Sequence, residues 1–521
     1  SNTTTLHTLM NMHKHPAWGR KSADEALSRQ NKAFRSFIRN QIFPHSLHYR
    51  QLFKKLGINP GDLGGLEDLP RIPFTSKADL AIAVSEERIR DFVLLPDPKK
   101  LRRRPSTLFR ALLTGPERTR ISLDEEYRPI LLPSTTGRSA EPVPFLYSRR
   151  DINHLAVMGG RIMQAGECTR EDRVLNVFPY APHLAYWLTY HAADQAGVFH
   201  LGTGGGKTMG TDGNLRLLVK SKPTILVGMP TFVYHLLRRA LDVGEKVEGL
   251  KVIALGGEKA PPGLRRKLAG LAEELGSPGL RILSTYGFTE AKGAWTECAV
   301  SPTDPSTGYH LSPEFGHIEI VDPKTGEPMP PETPGEIVYT PLDGRGSIVL
   351  RYRTGDLSEG GLTWKPCPAC GRILPRLLGR ISRVSEQRRM KLDKVKGSLV
   401  DFNELEVILD DVDAIGSWQL ELCKANNDPL EVDELHLHLS IEPNHSKADV
   451  ENLVRRRFRE VAEITPNQIY YHNAEEMRKL HGVGKNLKEE KIVDHRTVAP
   501  NNPMPPPRPK RRRNQRKEAV K

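Results

Sequence analysis

The chain has 521 residues, too many for one hydrophobic core, so two or more domains are expected. Hydrophobic residues at 38% and charged residues at 27% suit a soluble globular protein and exclude a disordered or fibrous one, while 5 cysteines are too few for a disulfide framework. The net charge of +14 gathers in KKLRRR at 99–104 and RPKRRRNQR at 508–516, without the aromatic interleaving of a nucleic-acid surface, so no specific nucleic-acid partner is expected.

The longest apolar stretch, Ile225–Leu237, carries Pro230 and falls short of the roughly 18 apolar residues of a membrane span. The N-terminal SNTTTLHTLMNMHKHPAWGR has no apolar core of the signal-peptide kind. A cytoplasmic protein with no membrane partner is the expectation.

In chain order, residues 1–130 read as helical, with apolar positions at helical spacing over 24–42 and 45–56. LEDLPRIPFTSKADL at 66–80 follows, with Ser76 placed to cap a helix. Leu131–Tyr147, LLPSTTGRSAEPVPFLY, reads as strand, small polar loop, strand. A loop of Ser134, Thr135, Thr136, Gly137 and Arg138 offers hydroxyls, close backbone approach and a positive charge to a phosphate, although a plain turn has the same composition.

Residues 131–380 then alternate. Helices are predicted over 151–166, 185–196, 230–242 and 262–275, and strands over 174–178, 197–201, 225–228, 251–255 and 281–284. Apolar strands separated by helices predict an α/β architecture, a largely parallel sheet covered by helices that binds ligands beyond its strand C-termini. GTGGGKT at 202–208 contains the end of a phosphate-binding P-loop, but Leu201 stands where the first glycine must be, so a glycine-rich turn is expected instead. Residues 309–350 become antiparallel, with strands at 316–321 and 335–340. After Gly379-Arg380 a small α+β domain begins, with helices at 402–409 and 448–461 and an alternating strand at 434–441. The predicted domains are therefore 1–380, 381–497 and a disordered basic tail at 498–521.

The first loop is followed by Leu255-Gly256-Gly257-Glu258, Ser284-Thr285-Tyr286-Gly287-Phe288-Thr289-Glu290, Arg351-Tyr352-Arg353-Thr354-Gly355-Asp356-Leu357, Gly379-Arg380 and Gly482-Val483-Gly484-Lys485. This succession resembles the adenylate-forming (AMP-binding) superfamily over about residues 45–495, and within it the phenylacetate–coenzyme A ligase family. The chain departs from the family in carrying Ser134 where glycine is usual, Ile381-Ser382-Arg383-Val384 at the hinge, and an apparent insertion, SEQRRMKLD, before KVKGSLVDFNELE.

The resemblance implies an acid–thiol ligase that uses ATP and Mg²⁺ to join a carboxylic acid, aryl and phenylacetate-like, to AMP and then to coenzyme A. It implies that Ser134–Arg138 cradle the leaving phosphates, Thr289 meets the α-phosphate and Glu290 holds Mg²⁺. Asp356 and Arg380 would take the ribose or a phosphate, and Gly256, Gly257, Glu258, Tyr286 and Gly287 would line the adenine site. Lys485 would meet the attacking carboxylate and the α-phosphate, with Lys488 as the neighbouring alternative. Tyr180, His183 and Trp187, in FPYAPHLAYWLTY, offer walls for an aryl ring, or belong to an amphipathic core helix.

Cys367-Pro368-Ala369-Cys370-Gly371 is a knuckle whose spacing lets two thiolates share one metal. Cys298 and His310, a pair some relatives also carry, complete an expected structural zinc site, with His317 as the alternative fourth ligand. Three functional classes stay open: a coenzyme A ligase, an adenylating enzyme that passes its acyl group to a carrier protein or an amine, and a catalytically silent nucleotide-binding module. The oligomeric state stays open as well, with a homodimer as one option.

Overall fold

The computed structural model describes residues 19, 22–135, 142–180, 183–384, 387–390, 398–427, 431–462, 464–484 and 490–496. Thr136, Gly137 and Arg138 of the phosphate loop, Lys485 and Lys488, and the basic tail lie outside the described residues. Among the described residues, no helix is long and apolar enough to cross a membrane.

A nine-stranded sheet organises the large α/β domain. Five strands, Phe199–Gly202, Arg173–Asn176, Ile225–Gly228, Val252–Leu255 and Arg281–Phe288, lie side by side and parallel in that order. Four-residue apolar runs such as Val252–Leu255 are buried along their whole length, as a strand covered on both faces must be. The fifth strand changes partners halfway. Arg281–Ser284 pairs parallel with Val252–Leu255, whereas Thr285–Phe288 pairs antiparallel with Gly293–Thr296. The sheet then continues antiparallel through Tyr309–His310, Arg376–Leu377 and Leu362–Thr363.

The helices that separate the parallel strands include Arg149–Ala165, Leu184–Ala196, Pro230–Asp242 and Pro262–Glu274, within a residue or two of the sequence reading. The glycine-rich turn at 202–208 is shorter than expected. It opens the helix Gly205–Ser221, which contains a kink at Gly210. The turn needs its glycines. Gly204 has φ +74°, and a side chain there would run into the Tyr180 ring.

A second sheet of four antiparallel strands, Gly316–Val321, Gly335–Pro341, Tyr352–Ser358 and Ile381–Arg383, packs beside the first. Within the insertion noted after the hinge, Gln387–Met390 pairs antiparallel with Ser398–Asp401. The C-terminal α+β domain has its own core, in which Phe402, Leu405, Val454 and Phe458 of two helices cover one face of a four-stranded sheet. Its longest strand, Ile415–Lys424, escapes the sequence reading because a polar residue follows each apolar one only from Trp418 onward. Lys259 Nζ reaches Asn403 and Glu406 at 2.6 Å each, Arg238 Nη1 lies 2.7 Å from Glu442, and His235 lies 3.1 Å from His481, joining this domain to the large one.

Candidate active site

The sheet's change of pairing creates the site. Where strand Arg281–Phe288 turns from parallel to antiparallel partners, its end carries the YGFTE motif beyond the C-termini of the parallel strands. Gly287 is required by close packing, since a Cβ there would come within 2.5 Å of both Ala294 Cβ and the Gly293 carbonyl oxygen. A single 3₁₀ turn, Thr289–Ala291, follows and buries Glu290. Lys292 then holds the left-handed conformation at φ +57°. Its buried ammonium sits 3.1 Å from Asp151, the residue that completes the capping box of helix Arg149–Ala165. That buried ion pair fixes the turn behind Glu290.

Glu290 Oε1 accepts a 2.6 Å hydrogen bond from the Tyr352 hydroxyl. Burial pushes the Glu290 carboxyl above the ordinary carboxylate range, and the Tyr352 bond pulls the other way. The Thr289 carbonyl accepts from the buried Tyr147 hydroxyl at 2.6 Å. Tyr286 donates to Asp356 Oδ2 at 2.9 Å, and Arg383 Nε lies 2.9 Å from Asp356 Oδ1. All of these except Tyr147 and Tyr286 line one cavity, together with Thr135, Gly257, Thr354 and Lys77.

Several predicted residues come together as expected and others do not. Thr135 donates its N–H to the Val143 carbonyl and accepts from the Val143 N–H through Oγ1, closing a hairpin with Ser134 bridged to Pro144. Gly257 faces the cavity, whereas Glu258 accepts from the N–H of Thr231 at the start of helix Pro230–Asp242. Tyr286 presents its hydroxyl to Asp356 while its ring packs among Phe288, Trp295 and Tyr309.

Arg380 is not brought to Asp356; Arg383 is. The strand register pairs Asp356 with Arg383 and leaves Arg380 beside Glu359, which it meets at 2.8 Å. Arg380 precedes the strand Ile381–Arg383 and turns to Glu359, whereas Arg383, opposite Asp356 in the register, reaches it. Of the three aromatic-wall candidates, only His183 lines the cavity. Tyr180 donates to the Gly202 carbonyl, and Trp187 packs edge-on against Tyr186 and Tyr190.

The cavity's interior is apolar and long. From the strand C-termini it follows the sheet beneath helices Arg149–Ala165 and Leu184–Ala196, past Phe178, Leu188 and Ala254, to Ile225 and Val252 at the strand N-termini. Sequence reasoning missed this lining because each residue looks like ordinary core. It also missed Lys77, the first residue of a helix whose capping box joins Ser76 and Asp79.

The sulfur sites converge. Ligand atoms of Cys298, His310, Cys367 and Cys370 lie within 4.8 Å of one another, with Cys298 and Cys367 Sγ 3.9 Å apart and Cys370 Sγ 3.4 Å from His310 Nε2. His310 Nδ1 faces the Thr296 carbonyl at 3.0 Å, which orients the other ring nitrogen toward the thiols. His317 lies elsewhere, 3.3 Å from Gln30. Three thiols and one imidazole are the donor set that suits tetrahedral zinc.

Residues 147–341 match the family model described as AMP-binding enzyme. The chain is similar to phenylacetate–coenzyme A ligases of Thermus thermophilus, 28% identical over 341 residues covering 64% of this chain and 65% of the relative, and of Aromatoleum evansii, 25% identical over 345 residues covering 65% and 67%. The match therefore spans about two thirds of these relatives' length. Its fold is also that of a 2-hydroxyisobutyryl-CoA ligase solved in the postadenylation state with 2-HIB-AMP, at TM-score 0.69, 19% identity and coverage of 92% of this chain and 91% of that one. Residues 147–341 thus match the AMP-binding enzyme model, and the fold is shared with the 2-hydroxyisobutyryl-CoA ligase.

Proposed function

We propose that the protein activates a carboxylic acid with ATP, releasing pyrophosphate and forming an acyl-adenylate, and then transfers the acyl group to the thiol of coenzyme A. The observation that carries this reading is one cavity that joins a mouth bearing Glu290, Asp356, Arg383 and Lys77 to a long apolar interior. Tyr286 and Arg383 each meet one Asp356 oxygen and hold the carboxylate at the cavity, where its acceptor oxygens suit a ribose hydroxyl. Lys77 and Arg383 offset phosphate charge, and Thr135 and Thr289 supply short polar contacts beside it.

A carboxylate in a cavity that receives phosphates fits Mg²⁺, which takes one or two protein carboxylates and completes its shell with phosphate and water. Glu290 would hold the ion, which when bound would draw charge from the α-phosphate. Lys485, outside the described residues, would add a cation opposite the attacking carboxylate. Its neighbour Gly484 packs against Gly206 of the glycine-rich turn, which supports delivery of that lysine to the large domain. The apolar interior favours an aryl or extended aliphatic acid, in line with the phenylacetate ligases among the relatives. We place the boundary between large and small domains at Arg380, and zinc in the Cys298, His310, Cys367 and Cys370 cluster as a pin between two loops of the large domain.

The test is acid-dependent exchange of labelled pyrophosphate into ATP across aryl and aliphatic acids with Mg²⁺, followed by coenzyme A and carrier-protein acceptors. Exchange with apolar acids and thioester formation with coenzyme A are expected. Absence of exchange together with absence of ATP binding would leave a silent nucleotide-fold module in its place.

A further inference from the structure

The C-terminal domain carries a second constellation of metal-ligating side chains that the adenylation reading does not use. Its source is the strand register. Leu435, Leu437 and Leu439 pair with Leu422, Leu420 and Trp418 and bury one face of the sheet. Period-two alternation therefore sends Glu434, His436 and His438, with Cys423, Glu421 and Gln419 opposite them, to the other face. An ordinary solvated face would mix lysines and threonines. This one concentrates imidazole, thiol and carboxylate.

Cys423, Glu434 and His436 offer ligand atoms within 4.8 Å of one another. His436 Nε2 lies 2.9 Å from Glu434 Oε2 and 3.7 Å from Cys423 Sγ. A tetrahedral zinc-class ion, with bonds of about 2.3 Å to sulfur and about 2.0 Å to nitrogen and oxygen, would set its sulfur and nitrogen ligands ~3.6 Å apart and its nitrogen and oxygen ligands ~3.3 Å apart. Cys423 Sγ also lies 3.6 Å from His436 Nδ1, about as far as from Nε2, so a turn of the imidazole is needed to aim Nε2 at the shared ion. Around them a second layer is in place. Glu421 Oε2 lies 3.9 Å from His436 Nδ1 and 2.9 Å from His438 Nε2, and its Oε1 lies 3.2 Å from His495. His438 continues to His472 at 2.9 Å and stacks on Tyr470 with ring centres 5.0 Å apart. Glu421 is hydrogen-bonded to His438 and stands 3.9 Å from His436 Nδ1, so a modest shift would bring it into the carboxylate–imidazole pairing that orients a ligating histidine.

We propose that Cys423 Sγ, Glu434 Oε2 and His436 Nε2 form a second site for a divalent transition metal of the zinc or cobalt class, with Glu421 orienting His436 and a fourth position open to water or an exogenous ligand. The mixed sulfur, nitrogen and oxygen set excludes Mg²⁺ and Ca²⁺, which take oxygen alone. Binding releases the Cys423 thiol proton to solvent while His436 ligates as neutral imidazole with its proton on Nδ1, and nothing is oxidised or reduced. The three-ligand set and half-exposed setting distinguish it from the closed four-ligand cluster of the large domain.

The test is Co²⁺ titration of the intact chain after chelator stripping and reloading with one equivalent of Zn²⁺, which the closed four-ligand cluster takes first. Uptake of one equivalent of Co²⁺, with a thiolate-to-cobalt charge-transfer band of single-thiolate intensity, is expected. Cys423→Ser should abolish the band. His436→Gln and Glu434→Gln should each weaken Co²⁺ at least about tenfold with the far-ultraviolet circular dichroism unchanged. Cys367→Ser should leave the single-thiolate band in place. No Co²⁺ uptake, or uptake that survives Cys423→Ser and His436→Gln alike, would overturn the site and leave a hydrogen-bonded histidine and glutamate network in its stead.

Discussion

At its mouth the cavity carries polar side chains held by polar partners: Glu290 by Tyr352, and Asp356 by Arg383 and, from behind, Tyr286. In its interior it is made of apolar side chains such as Phe178, Leu188, Ala254 and Leu283, positioned by packing alone. The difference teaches where each kind of information sits. Hydrogen bonds and ion pairs fix atoms to within tenths of an ångström and serve chemistry, whereas close packing fixes a shape and serves selectivity. Changes at the mouth should therefore cost rate, and changes in the interior should redirect the enzyme among acids.

The sharpest test of that division is charge removal at the mouth. Glu290→Gln should lower Mg²⁺-dependent adenylation by roughly a hundredfold or more with the melting midpoint little changed. Lys485→Ala should slow adenylate formation by on the order of 10²–10³-fold while sparing thioester formation from supplied acyl-adenylate. Equal loss in both half-reactions, measured by exchange and by thioester release, would remove Lys485 from the adenylation step.

Asp356→Asn should weaken ATP by about 2–3 kcal/mol, roughly 30- to 150-fold in KM, if Asp356 takes the ribose as proposed, because the contacts lose their charge and one acceptor becomes a donor. Arg380→Ala should change KM for ATP far less than Arg383→Ala, since only Arg383 reaches Asp356. The reverse order in ATP titrations would break the register argument.

Two stability measurements follow. Cys367→Ser should release about one zinc per chain and lower the melting midpoint by more than about 5 °C, read by elemental analysis and calorimetry. His235 and His481 meet across the domain junction, and burial holds His235 well below 6.5 and His481 down at about 4. Both are neutral when docked and take up protons more readily when released. Their contribution is therefore complete above pH 6.5 and fades as pH falls toward 4. Limited proteolysis of the junction should accelerate over that window in the native chain and lose this pH dependence in a His235→Asn, His481→Asn double variant.

The smallest expected effect is in the interior. Ala254→Leu should disfavour the bulkiest accepted acid by about tenfold in kcat/KM while leaving KM for ATP unchanged. A matching change for ATP would mean that the two ends of the cavity are not separable.

Much of this was present in the linear chain. Buried strands such as Ile225–Gly228 are runs of apolar residues, the helix Pro230–Asp242 starts with proline, and the motifs fall just beyond strand ends because parallel sheets offer ligands that edge. The knuckle at Cys367 and Cys370 announced a pair of neighbouring thiols by spacing alone. Contacts between distant segments followed a different rule. Whether Arg380 or Arg383 meets Asp356 depends on the register of a strand pairing, and no local pattern encodes that register. Which of Tyr180, His183 and Trp187 faces the cavity depends on how one helix is rotated against the sheet, and an aromatic residue suits core and cavity equally. The histidine, cysteine and glutamate face of the C-terminal sheet required the alignment of two strands and their neighbours. Sequence determined the kinds of elements and their order, because periodicity and turn chemistry are local; tertiary structure decided which side chains meet, because register and packing are settled only when distant segments close on one another.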